Sequence, residues 1–560
     1  EGGSRSGSCV VLAFSLACGG LACGGLAADG VGGGGLGPFD PLDPASNAGR
    51  GGIGAGSDPV GSASGGVSGE RPGSRPGRGG TGAGGRNGMP TDVGGGGFSG
   101  NGFSGNGFGG NGGLAAGNDD PELVTPDEDC PPNPMRLDEL VTQLANAASG
   151  EAPGDLRYIR YVSAGALRTT CSVSTSRSIA RARFAVDKVV NSLSTTAVPV
   201  PTRRIDSSEL SLRIDLRDYG WDRPIQVNGV LYADGWEALV AHTPMALEFV
   251  GGAADTLKQQ VGAPVPWLLA NGFVAAATTS DVYYAFTQAP DTLAQLKGLL
   301  GIAPPEDLPA GSWLRAGFSD SGVSRQDRGI ARYAGNSIGD RFFWQTFDYA
   351  PNTAVPTLFL EPLTARADGA EVIYTLPNGL PAYFVADAAG RRVNESVLSI
   401  DPALGGPPRV MASCGSCHNS GLIAFRDAVR AFVDANIAGT FTAEEAQAVR
   451  DAYPVDMEPS RVNDSNRLVI AMAQAGQPDG TPDPVGRTTI EYHAAVERDV
   501  VASELYVLPE ALDAELGRLP PALATSITTN GLSREAFEAS YHDALCVLGE
   551  GGPIVPLGCP

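Results

Sequence analysis

Cys414-Gly415-Ser416-Cys417-His418 places two thiols two residues apart and an imidazole immediately after them. That spacing carries covalent haem: the thiols form thioethers to two vinyl-derived carbons of the porphyrin, and the histidine ligates the iron from the proximal side. One turn of backbone reaches both carbons, and the next residue then lies beneath the ring. The sequence therefore predicts a single covalent haem c held by Cys414 and Cys417, with His418 on the iron. A structural zinc site would need a second pair of ligands at zinc spacing, and the other cysteines are single and distant in sequence. A thioredoxin-like redox pair would sit between a strand and a helix, whereas Gly405 to Ser413 reads as a loop.

The opposite face of the iron decides what such a haem does. Three more histidines, His242, His493 and His542, and a few methionines are the candidates. Met457, in the loop Tyr453 to Pro459 after the second expected helix beyond the motif, is the candidate distal ligand; Met472 reads as core. Methionine with histidine raises the reduction potential and saturates the iron, which suits electron transfer, and this is the expected function. An open face instead gives a five-coordinate haem enzyme of peroxidase-like chemistry, or a gas sensor. Such an enzyme also wants a distal acid–base group. Arg217, Asp218 and Arg325 are polar residues in apolar surroundings, for which structural ion pairs are the more ordinary account; no catalytic residue is assigned. A third reading rests on the roughly 270 residues ahead of the motif, more protein than one haem requires: an envelope binding module with the haem as a covalent staple.

These residues need elements to position them. Apolar residues at 422, 425, 429 and 432 predict a helix over 422–437 directly after the motif. Further helical patterns fall at 442–452, 460–475, 488–503, 508–517 and 533–547, so 401–560 reads as a helical, cytochrome c-like haem domain. Ahead of it, 134–400 reads as an α+β domain of unknown role. Helices are expected from Arg136 and over 157–167, 175–194 and 234–250, and the alternation from Leu210 to Tyr219 predicts a strand. Glu371 to Leu376 and Leu380 to Asp387 predict a hairpin, with Asn378-Gly379 supplying positive φ angles in its turn.

Of the 78 glycines, the excess lies in the N-terminal quarter. Residues 30–133, with Gly32 to Gly35 and three Phe-x-Gly-Asn-Gly repeats from Phe98, cannot build a core and read as a disordered Gly-rich tether. Residues 1–29 resemble an export signal or lipoprotein-like segment. Ser-Leu-Ala-Cys18 and Gly-Leu-Ala-Cys23 approach a lipid-attachment pattern but lack leucine at the third position before the cysteine. The expected location is the bacterial cell envelope, periplasm or outer surface, with Cys18 or Cys23 as anchor and no transmembrane helix in the folded part. Haem attachment to such a motif also takes place outside the bacterial cytoplasm, where disulfides persist. The four remaining cysteines, Cys130, Cys171, Cys546 and Cys559, could pair in three ways or stay as free buried thiols; sequence proximity favours Cys546 with Cys559 and Cys130 with Cys171. A net charge of −23 argues against nucleic acid and anionic lipid as partners, and would favour a basic redox partner protein.

Three segments together give the chain a family resemblance. Ile214-Asp215-Leu216-Arg217-Asp218-Tyr219-Gly220-Trp221, Ala316 to Arg325, and Glu371 to Leu380 ahead of the haem motif resemble a family of large exported bacterial c-type cytochromes of planctomycete and myxobacterial type. The resemblance covers about 135–550 and excludes the tether. It implies haem binding and electron carriage and supplies no substrate. The segment Phe273 to Tyr284 departs from it, because relatives often carry a histidine there and this chain has none.

Overall fold

The computed structural model describes residues 135–560, apart from 170–172, 303–312, 323, 334–340, 351–356, 397, 399–400, 402–408, 438, 479–480 and 530. The export-like segment, the tether, the Cys130–Cys171 pairing and most of the loop before the motif lie outside these residues. In chain order the strands are β1 (Ile159–Ser163), β2 (Arg203–Arg204), β3 (Ser211–Asp215), β4 (Ile225–Val227), β5 (Val230–Tyr232), β6 (Phe249–Val250), β7 (Trp267–Leu269), β8 (Trp313–Phe318), β9 (Arg328–Tyr333), β10 (Phe343–Asp348), β11 (Gly369–Thr375), β12 (Pro381–Asp387) and β13 (Val555–Pro556). The helices ahead of the motif are α1 (Leu137–Ser149), α2 (Val173–Ser192), α3 (Gly235–His242), α4 (Gly252–Val261), α5 (Ala270–Ala277), α6 (Ser280–Phe286) and α7 (Leu293–Leu299). From the motif onward come α8 (Ala412–Cys417), α9 (Val429–Ala435), α10 (Ala443–Ala452), α11 (Glu458–Gln474), α12 (Pro484–His493), α13 (Arg498–Glu504), α14 (Pro509–Glu515), α15 (Pro521–Thr528) and α16 (Arg534–Leu548). The α+β class expected from the sequence holds, with a helix-rich C-terminal part.

A four-stranded sheet, ordered β2-β3-β1-β7, is covered on both faces. Val162, Leu212 and Ile214 share a core with Val186 and Val189 of α2 and Phe273 of α5. Ile159 and Tyr161, on the other face of β1, pack with Leu140 and Leu144 of α1, Leu257 of α4 and Phe537 of α16. Burial on both faces removes the polar alternation that marks a half-exposed strand. For that reason 157–167, expected as helix, is β1 between two single 3₁₀ turns. The stretch 234–250 also divides: α3 stops at His242, and Phe249–Val250 pairs with Val555–Pro556.

The second sheet is an antiparallel meander in which β8 to β12 are neighbours in sequence order. Alternation divides its residues between two faces. Ala331, Tyr333, Phe343, Val372, Tyr374 and Phe384 are buried on one, whereas Ile330, Arg332, Thr346, Glu371 and Ile373 on the other are only half-buried. Helix α6 covers the β12 edge, where the Tyr383 and Val385 N–H groups donate to the hydroxyls of Tyr283 and Tyr284 at 2.9 and 3.1 Å. Side-chain oxygens thus replace a missing strand. The predicted hairpin is β11–β12, but only Gly379 of its turn has positive φ, at 88°. Asn378 instead holds the turn against α2, its amide donating to the Asn191 carbonyl at 2.7 Å.

The expected division at residue 400 does not separate two cores. Val410, Met411, Leu422, Leu468 and Val485 belong to the same apolar cluster as Val186 and Phe384. Helix α12 packs on α2, and the buried Lys188 ammonium meets the Asp483 carboxylate at 2.8 Å. The expected helix 488–503 breaks between His493 and Arg498. Among the described residues no helix is long and apolar enough to cross a membrane. Removing one partner of a buried pair leaves an uncompensated charge. Lys188→Ala is therefore expected to lower stability by about 3–5 kcal/mol, read from the urea midpoint. Lys188→Met combined with Asp483→Asn, which keeps a capping oxygen without a charge, should cost less.

Candidate haem-attachment site

The motif occupies one closed turn. Helix α8 begins after Met411, a non-glycine residue held at φ 68°, a conformation that persists only where the surroundings impose it. The turn closes where the His418 N–H donates to the Cys414 carbonyl at 2.8 Å. Helix α12 presses against it: a Cβ on Gly486 would lie 2.8 Å from the Cβ of Ser416 and 2.9 Å from the Ala412 carbonyl oxygen. Only a residue without a side chain allows this approach. Asp483 caps α12 by accepting the Val485 N–H at 3.0 Å, and its own N–H donates to the Asn419 carbonyl at 2.6 Å.

Past His418 the chain does not continue as the expected helix 422–437; helix resumes only at α9. Gly421 stands at φ 118°, where a Cβ would come 2.9 Å from the Ser465 hydroxyl. That hydroxyl accepts the Leu422 N–H at 2.8 Å, and the Arg461 guanidinium donates to the Leu422 carbonyl. Farther on, Asp427 accepts the Gly317 N–H at 2.7 Å and the Arg430 N–H at 3.0 Å, tying the loop to β8 and capping α9. Tertiary hydrogen bonds thus override the helical periodicity.

The clamped loop sets the histidine. His418 Nδ1 lies 3.2 Å from the Gly421 carbonyl oxygen, so Nδ1–H donates to it and Nε2 keeps its lone pair. A metal-ligating imidazole is commonly fixed in this way. Burial pushes the ring below its ordinary pKa, which outweighs the Gly421 hydrogen bond and the Glu371 carboxylate acting in the other direction. The ring is therefore neutral at pH 7, the form that ligates iron.

Cys414 is half-buried and Cys417 exposed, and they are not bonded to each other. Burial pushes both thiols up, with Glu371 and Asp401 adding to it. A dithiol redox centre needs a lowered pKa, so these surroundings do not favour that chemistry. Among the described residues the only converging group of three cysteine, histidine or carboxylate side chains is His542, Cys546 and Cys559. There the cysteines are joined as expected, with a Cα–Cα separation of 5.3 Å.

The donor set and its surroundings fit a haem. Residues of the half-buried sheet face act on the motif: Glu371 on both thiols and His418, and Arg328 on Cys417 and His418. The same face presents Leu314, Ile330 and Ile373, partly buried, and Phe425 after the motif stacks on Phe318 at 6.4 Å and meets the edge of Trp344 at 6.0 Å. This is the partly exposed apolar surface that a flat macrocycle covers. It also carries charge. Arg328 pairs with Asp348 at 2.6 Å and with Glu371 at 3.2 Å, while Arg332 and Trp344 both bond Asp464 of α11, at 2.7 and 2.9 Å. Burial, reinforced by Glu371 and opposed by Arg328, pushes the Asp348 carboxyl up to about 6.

The other sequence candidates are dispersed. Met457 is buried at the N-cap of α11, one turn before the Arg461 that holds the motif's loop. Met472 is core, as expected. His242 bonds the Ala238 carbonyl, His493 faces the Arg409 guanidinium, and His542 bonds the Leu557 carbonyl beside the disulfide. Arg217 pairs with Asp155 and Asp215, and it, Asp218 and Arg325 are exposed, so their reading as distal-site residues is not supported. Arg328, Asp348 and Glu371 are the residues that sequence reasoning missed. An acid inside an alternating strand was the signal at Glu371, but its pairing depends on strand register.

Two outcomes follow from this geometry. Gly486→Ala must separate α8 from α12 and is expected to cost about 1–3 kcal/mol, measured by chemical unfolding, with a fall in haem attachment. Asp348 holds its proton more tightly folded than unfolded, so its stabilisation is full below about pH 4 and lost as pH rises through about 6. Wild type should therefore lose unfolding free energy relative to Asp348→Asn as pH rises over that interval. No family model matches this chain, and neither a curated protein nor a solved structure matches it.

Proposed function

We propose that this chain is a monohaem c-type cytochrome that transfers electrons in the bacterial cell envelope. The observation that carries the reading is the His418 ring, with Nδ1 committed to the Gly421 carbonyl and Nε2 left for iron, directly after two unpaired thiols on one turn. Cys414 and Cys417 hold the porphyrin as thioethers, and the bound haem supplies a one-electron couple. The protein's own part is to fix the imidazole and to cover the ring with the sheet face and Phe425. Met457 is the proposed distal ligand. The resemblance to large exported cytochromes agrees with this reading.

Location and partner belong to the same proposal. Haem is attached to such motifs outside the bacterial cytoplasm, and the Cys546–Cys559 disulfide suits an oxidising compartment. Cys18 or Cys23 is the proposed lipid anchor. A net charge of −23 steers a basic redox partner favourably. A second reading, a five-coordinate peroxidase-like enzyme or gas sensor, draws on Arg328 and Glu371, whose charges reach the motif.

Carbon monoxide separates the two. The matured, dithionite-reduced protein is expected to give a low-spin spectrum indifferent to carbon monoxide, and Met457→Ala is expected to make it responsive. A wild-type spectrum that shifts with carbon monoxide would transfer support to the enzyme or sensor reading.

A further inference from the structure

Outside the haem motif, metal-ligating side chains converge at the C-terminal end of the fold. Helix α16 carries His542 and Cys546 one turn apart, and residues four apart on a helix share a face. The chain then turns back, and Val555–Pro556 pairs with Phe249–Val250. This return brings Cys559 to Cys546, with which it forms the disulfide. One ligand atom from each of His542, Cys546 and Cys559 lies within 4.8 Å of the other two, and all three residues are half-buried. Cys546 Sγ stands 3.9 Å from both ring nitrogens of His542.

The imidazole is held in the manner of a metal ligand. His542 Nε2 lies 3.1 Å from the Leu557 carbonyl oxygen, so Nε2–H donates to it, and Nδ1 stands 3.2 Å from the Asp543 carboxylate. A backbone carbonyl on one nitrogen fixes the ring and leaves the other nitrogen for a cation. Two thiolates and an imidazole are a donor set for zinc, with the ligands about 2.0–2.3 Å from the ion and hence roughly 3.5–3.8 Å from one another. The 3.9 Å between Cys546 and His542 is already close to that spacing. A Cα separation of 5.3 Å between the cysteines lets both sulfurs reach one ion once the bond between them opens. The His542 and Asp543 side chains are 39% and 74% exposed, so water has access to the fourth position. The histidine also favours opening, because an imidazole beside a sulfur eases its departure as thiolate.

We infer that His542, Cys546 and Cys559 form a zinc site that exchanges with the disulfide. A dithiol reductant gives two electrons to the sulfur–sulfur bond and closes to its own disulfide, passing its two protons to Cys546 and Cys559. Zinc(II) then binds both sulfurs as thiolates and neutral His542 through Nδ1, and the two thiol protons pass to solvent. The metal itself is neither oxidised nor reduced. In both states the segment after α16 stays tied to that helix, so the pairing of β13 with β6 and the seat of Ile554 in the core survive reduction. The site shares no residue with the haem motif, and its test stands whether or not haem is bound.

That test uses the full chain, reduced anaerobically with a phosphine, with and without zinc chloride, then alkylated with iodoacetamide and mapped by peptide mass. Cys546 and Cys559 are expected to be alkylated without zinc and protected with it. Elemental analysis after dialysis should find one more zinc ion per chain in reduced wild type than in reduced His542→Ala, whose cysteines are the same. Protection should be lost in His542→Ala; if that variant does not fold, protection of Cys559 in wild type but not in Cys546→Ser decides. Sulfurs that stay closed to alkylation without zinc overturn the inference, because the disulfide then does not open. Equal zinc content in wild type and His542→Ala, or alkylation unchanged by zinc, overturns it as well.

Discussion

Asp483 is the point on which the arrangement turns. Its side chain caps α12 and accepts the Lys188 ammonium from α2, and its backbone N–H donates to the Asn419 carbonyl immediately after the motif. Three parts of the chain, far apart in sequence, are fixed by one residue. Both charges of the pair are 2% exposed, so their attraction has to offset the loss of water. What the pair contributes is placement: it sets α12 where Gly486 can lie against Ser416, and that contact fixes the Cys414–His418 turn.

From there the site is built by two clamps. Helix α11 holds the loop through Ser465 and Arg461 and reaches the second sheet through Asp464. The sheet contributes a face that is polar where its neighbours are apolar. On the buried face Tyr333, Phe343 and Phe384 belong to the common core, while on the other Arg328 and Glu371 direct charge at the motif. A helix-only account of the motif misses this, because charges acting on His418 come from strands that precede it by some fifty to ninety residues.

Much of this was legible in the sequence. The Cys546–Cys559 pair and the β11–β12 hairpin follow from short separations, and the haem expectation rests on the residue types and spacing of Cys414 to His418. The failures share a cause. Residues 422–428 carry helical periodicity, yet Gly421, Ser465 and Asp427 impose a loop, and no local pattern reports a hydrogen bond to a helix more than thirty residues away. Ile159 to Ser163 is buried on both faces, so a strand looked like a helix. Arg328 finds Asp348 and Glu371 at separations of 20 and 43 residues; the sequence contains all three, but their meeting depends on the register of three strands.

The central claim is that Cys414 and Cys417 carry a covalent haem. Its most direct test is the intact mass of the chain produced in a host that matures c-type cytochromes, compared with the Cys414→Ala/Cys417→Ala variant. The account predicts that wild type is heavier than its polypeptide by one haem and that the double variant has the mass of its polypeptide alone. A wild-type chain at polypeptide mass, with both thiols open to alkylation, would contradict it.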